Sequence, residues 1–282
     1  MRVQITLLIA LPMVLLCGCM RKLPDTYYSA YRINLELERT TRGEWQMQVT
    51  NPLACPLRLS FNSQIDSIDQ ILQQHFPQVL KAFGSIEVIL PGDIAKSDLE
   101  RSLKGNSFWS HLRPVSPDTN VLYQYPFPRG RSYPITQAYN GVFSHSNAFS
   151  RYAIDFEMPV GDTICAARDG IVVGIIRDNE DWIHGPDERY RNYANYLRLF
   201  HSDETYSDYV HLKHDGVLVS MGDTVRAGQP IAISGFTGWT TIPHLHFNTF
   251  KPAADGSMEG IPIRFEKMDG KDIRKGMKAE HD

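Results

Sequence analysis

The chain is poor in cysteine. It has four in 282 residues, and two of them, Cys17 and Cys19, fall in the first nineteen positions. No C-x-x-C spacing occurs, which disfavours cysteine-ligated zinc. There is no G-x-S-x-G elbow and no H-E-x-x-H motif, so neither a serine hydrolase of that type nor a helix-based metalloprotease is supported. An excess of positive charge is also lacking. The 29 Lys and Arg stand against 32 Asp and Glu, a formal charge of −3, and nothing in that balance points to nucleic acid as a partner. The apolar run Ile5 to Leu16, broken by Thr6 and Pro12, is too short for a spanning helix. Overall the composition, 42% hydrophobic and 22% charged, is that of a globular protein with one or two cored domains.

That apolar run follows Arg2 and ends at Leu16-Cys17-Gly18-Cys19, the layout of a signal peptide. The last four residues resemble a bacterial lipobox. The resemblance implies cleavage before Cys19 and acyl chains on its thiol, and several chains give durable anchoring where one is marginal. Met20 stands where an Asp would resemble an inner-membrane retention signal, so the expected location is the outer membrane, facing the periplasm. Cys55 and Cys165 leave two readings open: one disulfide in an oxidising compartment, or free thiols, since Cys165 lies in the apolar stretch Ile164–Ala167 and reads as buried.

After a tether over 19–27, alternation dominates. Ile33, Leu35 and Leu37 alternate with polar residues, as do Trp45, Met47 and Val49, and Leu57, Leu59 and Phe61 supply a third strand. Thr40 to Gly43 reads as a turn. Ile65 to Phe83 has helical spacing interrupted at Pro77, and Ile86 to Leu90 is a further strand. These predict a small β-rich domain over 28–115, read as a spacer or support. A linker over 116–122 follows, then a larger domain of short strands and Gly turns over 123–265, and a polar tail over 266–282. Val160–Ala166 and Met221–Ala227 echo each other at Gly, Asp, Thr and Ala, each resembling the Gly-Asp corner of a hairpin. Biotinyl and lipoyl carriers use similar corners around a modified lysine, but neither Val160–Ile176 nor Met221–Gly235 contains one.

Within the larger domain lies Pro243-His244-Leu245-His246-Phe247, entered through the Gly/Thr-rich stretch Gly235 to Thr241. On a strand, His244 and His246 point to the same side. His145, Asp155 and His211 lie upstream. Zinc favours neutral imidazole and carboxylate, and a catalytic site needs three protein ligands and an open position. With ten histidines in the chain, a lone His-x-His is more often a surface pair, so the weight rests on the whole constellation. His201 reads as a strand end or as the partner of a ligand; His75, His111, His214 and His281 read as surface residues.

The segments Phe143-Ser144-His145, Tyr152-Ala153-Ile154-Asp155-Phe156, Gly161-Asp162-Thr163-Ile164, Tyr209-Val210-His211-Leu212 and Pro243-His244-Leu245-His246-Phe247, in this order, resemble the catalytic domain of the lysostaphin-type (LytM-like) zinc endopeptidases. These cut peptides of bacterial cell walls. The resemblance covers a little under half of the chain. It implies a mainly β protein whose C-terminal antiparallel β-sheet domain is of the duplicated-hybrid-motif type. It implies Zn2+ held by His145, Asp155 and His246, with His211 and His244 catalytic, and peptidoglycan peptides as substrate. Two departures stand out. His145 and Asp155 are ten apart, where four is common; a longer-spaced branch ending in Tyr-Ala-Ile-Asp-Phe is similar. Ile242 replaces the usual Gly, and a β-branched residue rarely takes positive φ, so a reshaped loop is expected there.

The chemistry implied is hydrolysis at a polarised water, with His244 carrying the proton and His211 orienting the water or stabilising the oxyanion; the residues alone do not separate the two histidines. The insertion Asp178 to Arg191 is expected to wall the groove through Trp182, with Trp239 opposite. The competing reading is an inert relative that binds and activates a separate wall amidase. Such relatives lack zinc ligands, whereas this chain keeps all five residues. A regulatory protein partner fits either reading.

Overall fold

The computed structural model describes residues 4–7, 33–109, 113–180, 188–253 and 255–282. Cys19, Trp182, His111 and His184, and most of the stretch read as leader and tether, lie outside them. The protein is mainly β, with two compact units, the first ending at Pro114 and the second beginning at Val115.

In the first unit the predicted alternation becomes an antiparallel sheet of Ile33–Arg39, Trp45–Thr50 and Ser85–Leu90; Gln4–Leu7 pairs with the outer edge of Ile33–Arg39. Ile33, Leu35, Leu37, Met47 and Val49 are buried and their alternates are not. A second sheet pairs Leu57–Ser63 with Gln78–Leu80 and Leu103–Phe108. The helix expected over 65–83 runs only from Asp66 to His75. Pro77 has no N–H to continue it, and the chain re-emerges as the strand Gln78–Leu80. A short helix, Lys96–Ser102, has too few turns to show a period. Cys55 and Cys165 are both buried and form no disulfide, and burial pushes Cys165 up to about 11.

The second unit is built on a large antiparallel sheet. Its spatial order is Thr224–Val225, Gly170–Ile176, Tyr196–Phe200, Tyr206–Val210, Leu245–Pro252, Ile154–Phe156, Arg131–Gln137 and Lys278–His281, with Met258–Gly260 pairing off Leu245–Pro252. A small sheet joins Thr163–Cys165, Pro230–Ser234 and Leu212–Val217. One face of the large sheet supplies core: Ile154, Phe156, Leu197, Leu199, Tyr209, Leu245 and Phe247 pack with Val172, Leu212 and Ile231. The residues between them face the other way and include Asp155 and His246.

Several expectations are corrected here. Residues 266–282 are not a tail: Lys278–His281 pairs antiparallel with Arg131–Gln137, and Ile273, Ala279 and His281 are buried. Polar composition hid a two-residue period. Residues 116–122 are not a free linker. Val115 is buried, Asp118 N–H donates to Asp203, and Leu122–Tyr123 pairs in parallel with Arg264–Phe265. The Gly-Asp corners are not hairpins. Gly161 and Gly222, at φ 104° and 88°, turn the chain from one sheet into the other, because the strands on either side of each corner belong to different sheets. His281 is no surface residue: its Nδ1 donates to Phe127 O at 2.6 Å. His201 is buried too, its Nδ1 donating to Asp169 O at 2.8 Å and its Nε2 accepting from Ser207 Oγ at 3.0 Å.

Burial lowers His201 to about 4. The unfolded chain, titrating near its ordinary value of about 6.5, therefore takes up a proton before the folded one does. Stability from this group is complete above about pH 6.5 and is lost as pH falls to about 4, to the extent of roughly 3 kcal/mol. Denaturant unfolding across this range should show the decline, and His201→Gln should flatten it.

Candidate metal centre and active site

Asp155 and His246 are direct partners across the antiparallel pair of Ile154–Phe156 and Leu245–Pro252. That register puts a carboxylate beside an imidazole on the face away from the core. His145 arrives from the loop after Arg131–Gln137, where its N–H donates to Gly141 O. His145 Nε2 lies 3.2 Å from His246 Nδ1 and 3.2 Å from Asp155 Oδ1, and His246 Nδ1 lies 2.9 Å from the same oxygen. Among the described residues this is the one cluster with metal-ligand spacing.

The tautomers can be read from the outer contacts. His145 Nδ1 donates to Ala138 O at 3.0 Å, so its Nε2 presents a lone pair to the cluster. A metal-ligating imidazole usually has its other nitrogen fixed in this way. Three ligand atoms about 2.1 Å from a tetrahedral zinc lie roughly 3.4 Å apart. The triangle of 2.9 to 3.2 Å is close to that, and two N and one O donor suit the ion, so the residues fit zinc.

Burial alone would raise the Asp155 carboxyl. The electrostatic influence of His244 and the close contacts with His145 and His246 outweigh it and hold the group well below the usual carboxylate range. Burial lowers His246, with Asp155 opposing that shift. Burial and the neighbouring His244 and His246 lower His211 strongly. An ionised Asp155 and a lowered His246 suit the binding of a divalent cation, whose ligands must be deprotonated.

His211 and His244 stand beside the triangle with ring centroids 4.6 Å apart. His211 Nδ1 donates to Thr237 O at 2.7 Å, and His244 Nδ1 donates to Ile242 O at 2.9 Å. Both therefore turn Nε2 to the site, and His244 Nε2 is 3.8 Å from Asp155 Oδ2. His211 takes φ 67°, a strained value for a residue with a side chain. It lies at the junction of Tyr206–Val210 and Leu212–Val217, and Gly235 N–H donates to its carbonyl. A side chain at Gly235 would meet the Leu212–Lys213 backbone at 2.2 to 2.4 Å. The loop expected to be reshaped at Ile242 keeps that residue out of the positive-φ region and uses its carbonyl to anchor His244.

All five predicted histidine and aspartate positions converge. Trp239 is half-buried, its ring stacked on Phe143 at 4.8 Å and 24°, with the Arg191 guanidinium 4.7 Å away. The sequence reading missed Gln137. Its Nε2 donates to Asp155 Oδ2 at 3.0 Å and to Ser144 Oγ at 2.7 Å, and its Oε1 accepts from the N–H groups of Phe143 and Ser144. It ties the carboxylate to the loop that carries His145, leaving Oδ1 for the cluster. Only its cross-strand register with Asp155 reveals this.

Residues 150–258 match the model of peptidase family M23. This stretch, under half of the chain, resembles that family. The match includes Asp155, His211, His244 and His246; His145 lies just before it. The M23 region is similar to peptidoglycan DD-endopeptidase ShyB of Vibrio cholerae, 32% identical over 144 residues, covering 46% of this chain and 30% of that protein. It is also similar to glycyl-glycine endopeptidase ALE-1 of Staphylococcus capitis, 33% identical over 127 residues, covering 44% and 31%. The chain thus spans under a third of the length of these relatives. Among solved structures, the catalytic domain of lysostaphin from Staphylococcus simulans is 26% identical with a TM-score of 0.31, covering 46% of this chain and 87% of that one.

Removing Gln137 should loosen the carboxylate without removing a ligand. Gln137→Ala should weaken zinc binding about 10- to 100-fold, measured by competition with a chromogenic chelator, with zinc still bound at saturating metal.

Proposed function

We propose that this protein is a zinc-dependent endopeptidase that hydrolyses peptide bonds in the stem or cross-link peptides of peptidoglycan. The observation that carries the reading is the close triangle of His145 Nε2, Asp155 Oδ1 and His246 Nδ1, with two further imidazoles turned toward it. The cell-wall substrate is taken from the M23 relatives named above.

His145, Asp155 and His246 would hold zinc, which would supply Lewis acidity toward the scissile carbonyl and a water of lowered pKa, about 7. The chain's own groups supply the rest. His244 Nε2, beside the Asp155 carboxylate, accepts the proton of the attacking water and returns it to the leaving amine. His211 is held neutral by burial and by the adjacent imidazoles, so its Nε2 is an acceptor that orients the water. Lipid on Cys19 would tether the enzyme to the outer membrane, facing the periplasm and its substrate.

Purified sacculi and defined cross-linked muropeptides, incubated with lipid-free protein starting at Arg21, should lose cross-linked species by mass spectrometry, and a chelator should abolish that loss. A folded, zinc-containing sample that cuts nothing would overturn the reading in favour of an amidase activator. His246→Ala should lose zinc and turnover together. His244→Ala should keep zinc and lose turnover by about 1,000-fold; turnover in zinc-free His246→Ala protein would exclude the mechanism.

A further inference from the structure

His211 stands beside the metal triangle in a conformation its own backbone disfavours. At φ 67° a residue with a side chain stays only where its surroundings hold it. Two polar residues outside the triangle supply that hold. Asn195 precedes the strand Tyr196–Phe200, and Thr237 lies in the stretch leading to His244. Both are completely buried.

Thr237 grips residues 211 and 212 at two points. Its carbonyl accepts from His211 Nδ1 at 2.7 Å, and its hydroxyl donates to Leu212 O at 2.8 Å. The same hydroxyl accepts from Asn195 N–H at 2.9 Å. Asn195 grips Leu212 as well: its carbonyl accepts from Leu212 N–H at 3.1 Å, and its Nδ2 donates to Leu212 O at 3.4 Å. The rest of the amide engages Asn179, where Oδ1 accepts from the N–H at 3.0 Å and Nδ2 donates to the carbonyl at 2.8 Å. Gly238 lets the two segments meet, since a side chain there would lie 2.5 Å from Ala194 Cβ and 2.6 Å from its Cα.

We propose that Thr237 and Asn195 are positioning residues that aim His211. They act on the ring through the 211–212 backbone and touch no reacting atom. Valine has the shape of threonine but neither donates nor accepts. At position 237 it would strip Asn195 N–H of its partner and leave Leu212 O with the long Asn195 contact alone. Buried groups left in that state are costly, and the backbone relieves the cost by moving. His211 then relaxes from positive φ and its Nε2 turns off the site. The amide of Asn195 also roots the segment that opens at Asp178, so that segment and the histidine share one fastening. The inference rests on the peptidase reading above for the role of His211.

The test uses zinc-loaded full-length protein and defined cross-linked muropeptides. Thr237→Val should lower kcat about 100-fold while KM and zinc content stay native. Thr237→Ser, which keeps the hydroxyl, should return kcat to within about 3-fold of native. Asn195→Asp, which sets a carboxylate oxygen against Leu212 O and Asn179 O, should lower kcat in the same way. Thr237→Ala makes the same loss with less bulk and serves if Thr237→Val does not fold. The ring also reports without turnover. By heteronuclear NMR, the His211 Nδ1–H signal, assigned by its loss in His211→Gln, should exchange with water about 10-fold faster in Thr237→Val than in native or Thr237→Ser protein. An unchanged His211 signal in folded Thr237→Val protein would overturn the assignment, as would a native kcat or a loss confined to KM. Native zinc-loaded protein that cuts no muropeptide would overturn the peptidase reading, and the ring signal would still decide whether this clamp aims the histidine.

Discussion

One buried negative charge organises the second unit. Asp155 sits in a strand whose neighbours Ile154 and Phe156 are core, and a carboxylate there would be untenable alone. Three imidazoles and the Gln137 amide surround it. Its two oxygens have separate tasks: Oδ1 faces His145 and His246, while Oδ2 faces Gln137 and His244. The sheet register that sets Asp155 opposite His246 is therefore as much a part of the site as the ligands are, because a one-residue slip of either strand would turn its ligand into the apolar core.

The histidines differ in how their backbone surroundings hold them. His145, His211 and His244 each give Nδ1–H to a carbonyl, from Ala138, Thr237 and Ile242. His246 has its Nδ1 turned to the cluster instead. Carbonyl anchors fix both ring orientation and tautomer, so the site is pre-organised by loops as well as by strands. The strained backbone of His211 belongs to the same economy: the surrounding sheet and Gly235 hold a conformation the residue would not choose alone.

Much of this was legible in the sequence. Alternation at Ile33, Leu35 and Leu37 and at Trp45, Met47 and Val49 identified strands because one face is buried and the other wet. His-x-His identified a shared strand face. The illegible parts failed for definite reasons. In Lys278 to His281 the inward residues are Ala279 and His281, too small or too polar to mark a core, and the partner strand lies more than a hundred residues away. His201 and His281 are buried polar groups satisfied by backbone carbonyls, and carbonyl partners leave no trace in side-chain chemistry. Gln137 acts through cross-strand register, a property of pairing rather than of composition. The larger domain's end was misplaced for the same reason as the tail.

His145 and His246 are 101 positions apart in the chain. An ion gripping both would be, in polymer terms, a reversible staple closing a loop of about a hundred residues. A covalent link of that span removes about 4 to 5 kcal/mol of chain entropy from the unfolded state. A metal staple, unlike a disulfide, needs no oxidant, and Cys55 and Cys165 form no disulfide. Seen this way, the ion would act as an architectural fastener as well as a reagent, and the supply of metal would govern how long the folded chain survives as well as how fast it works.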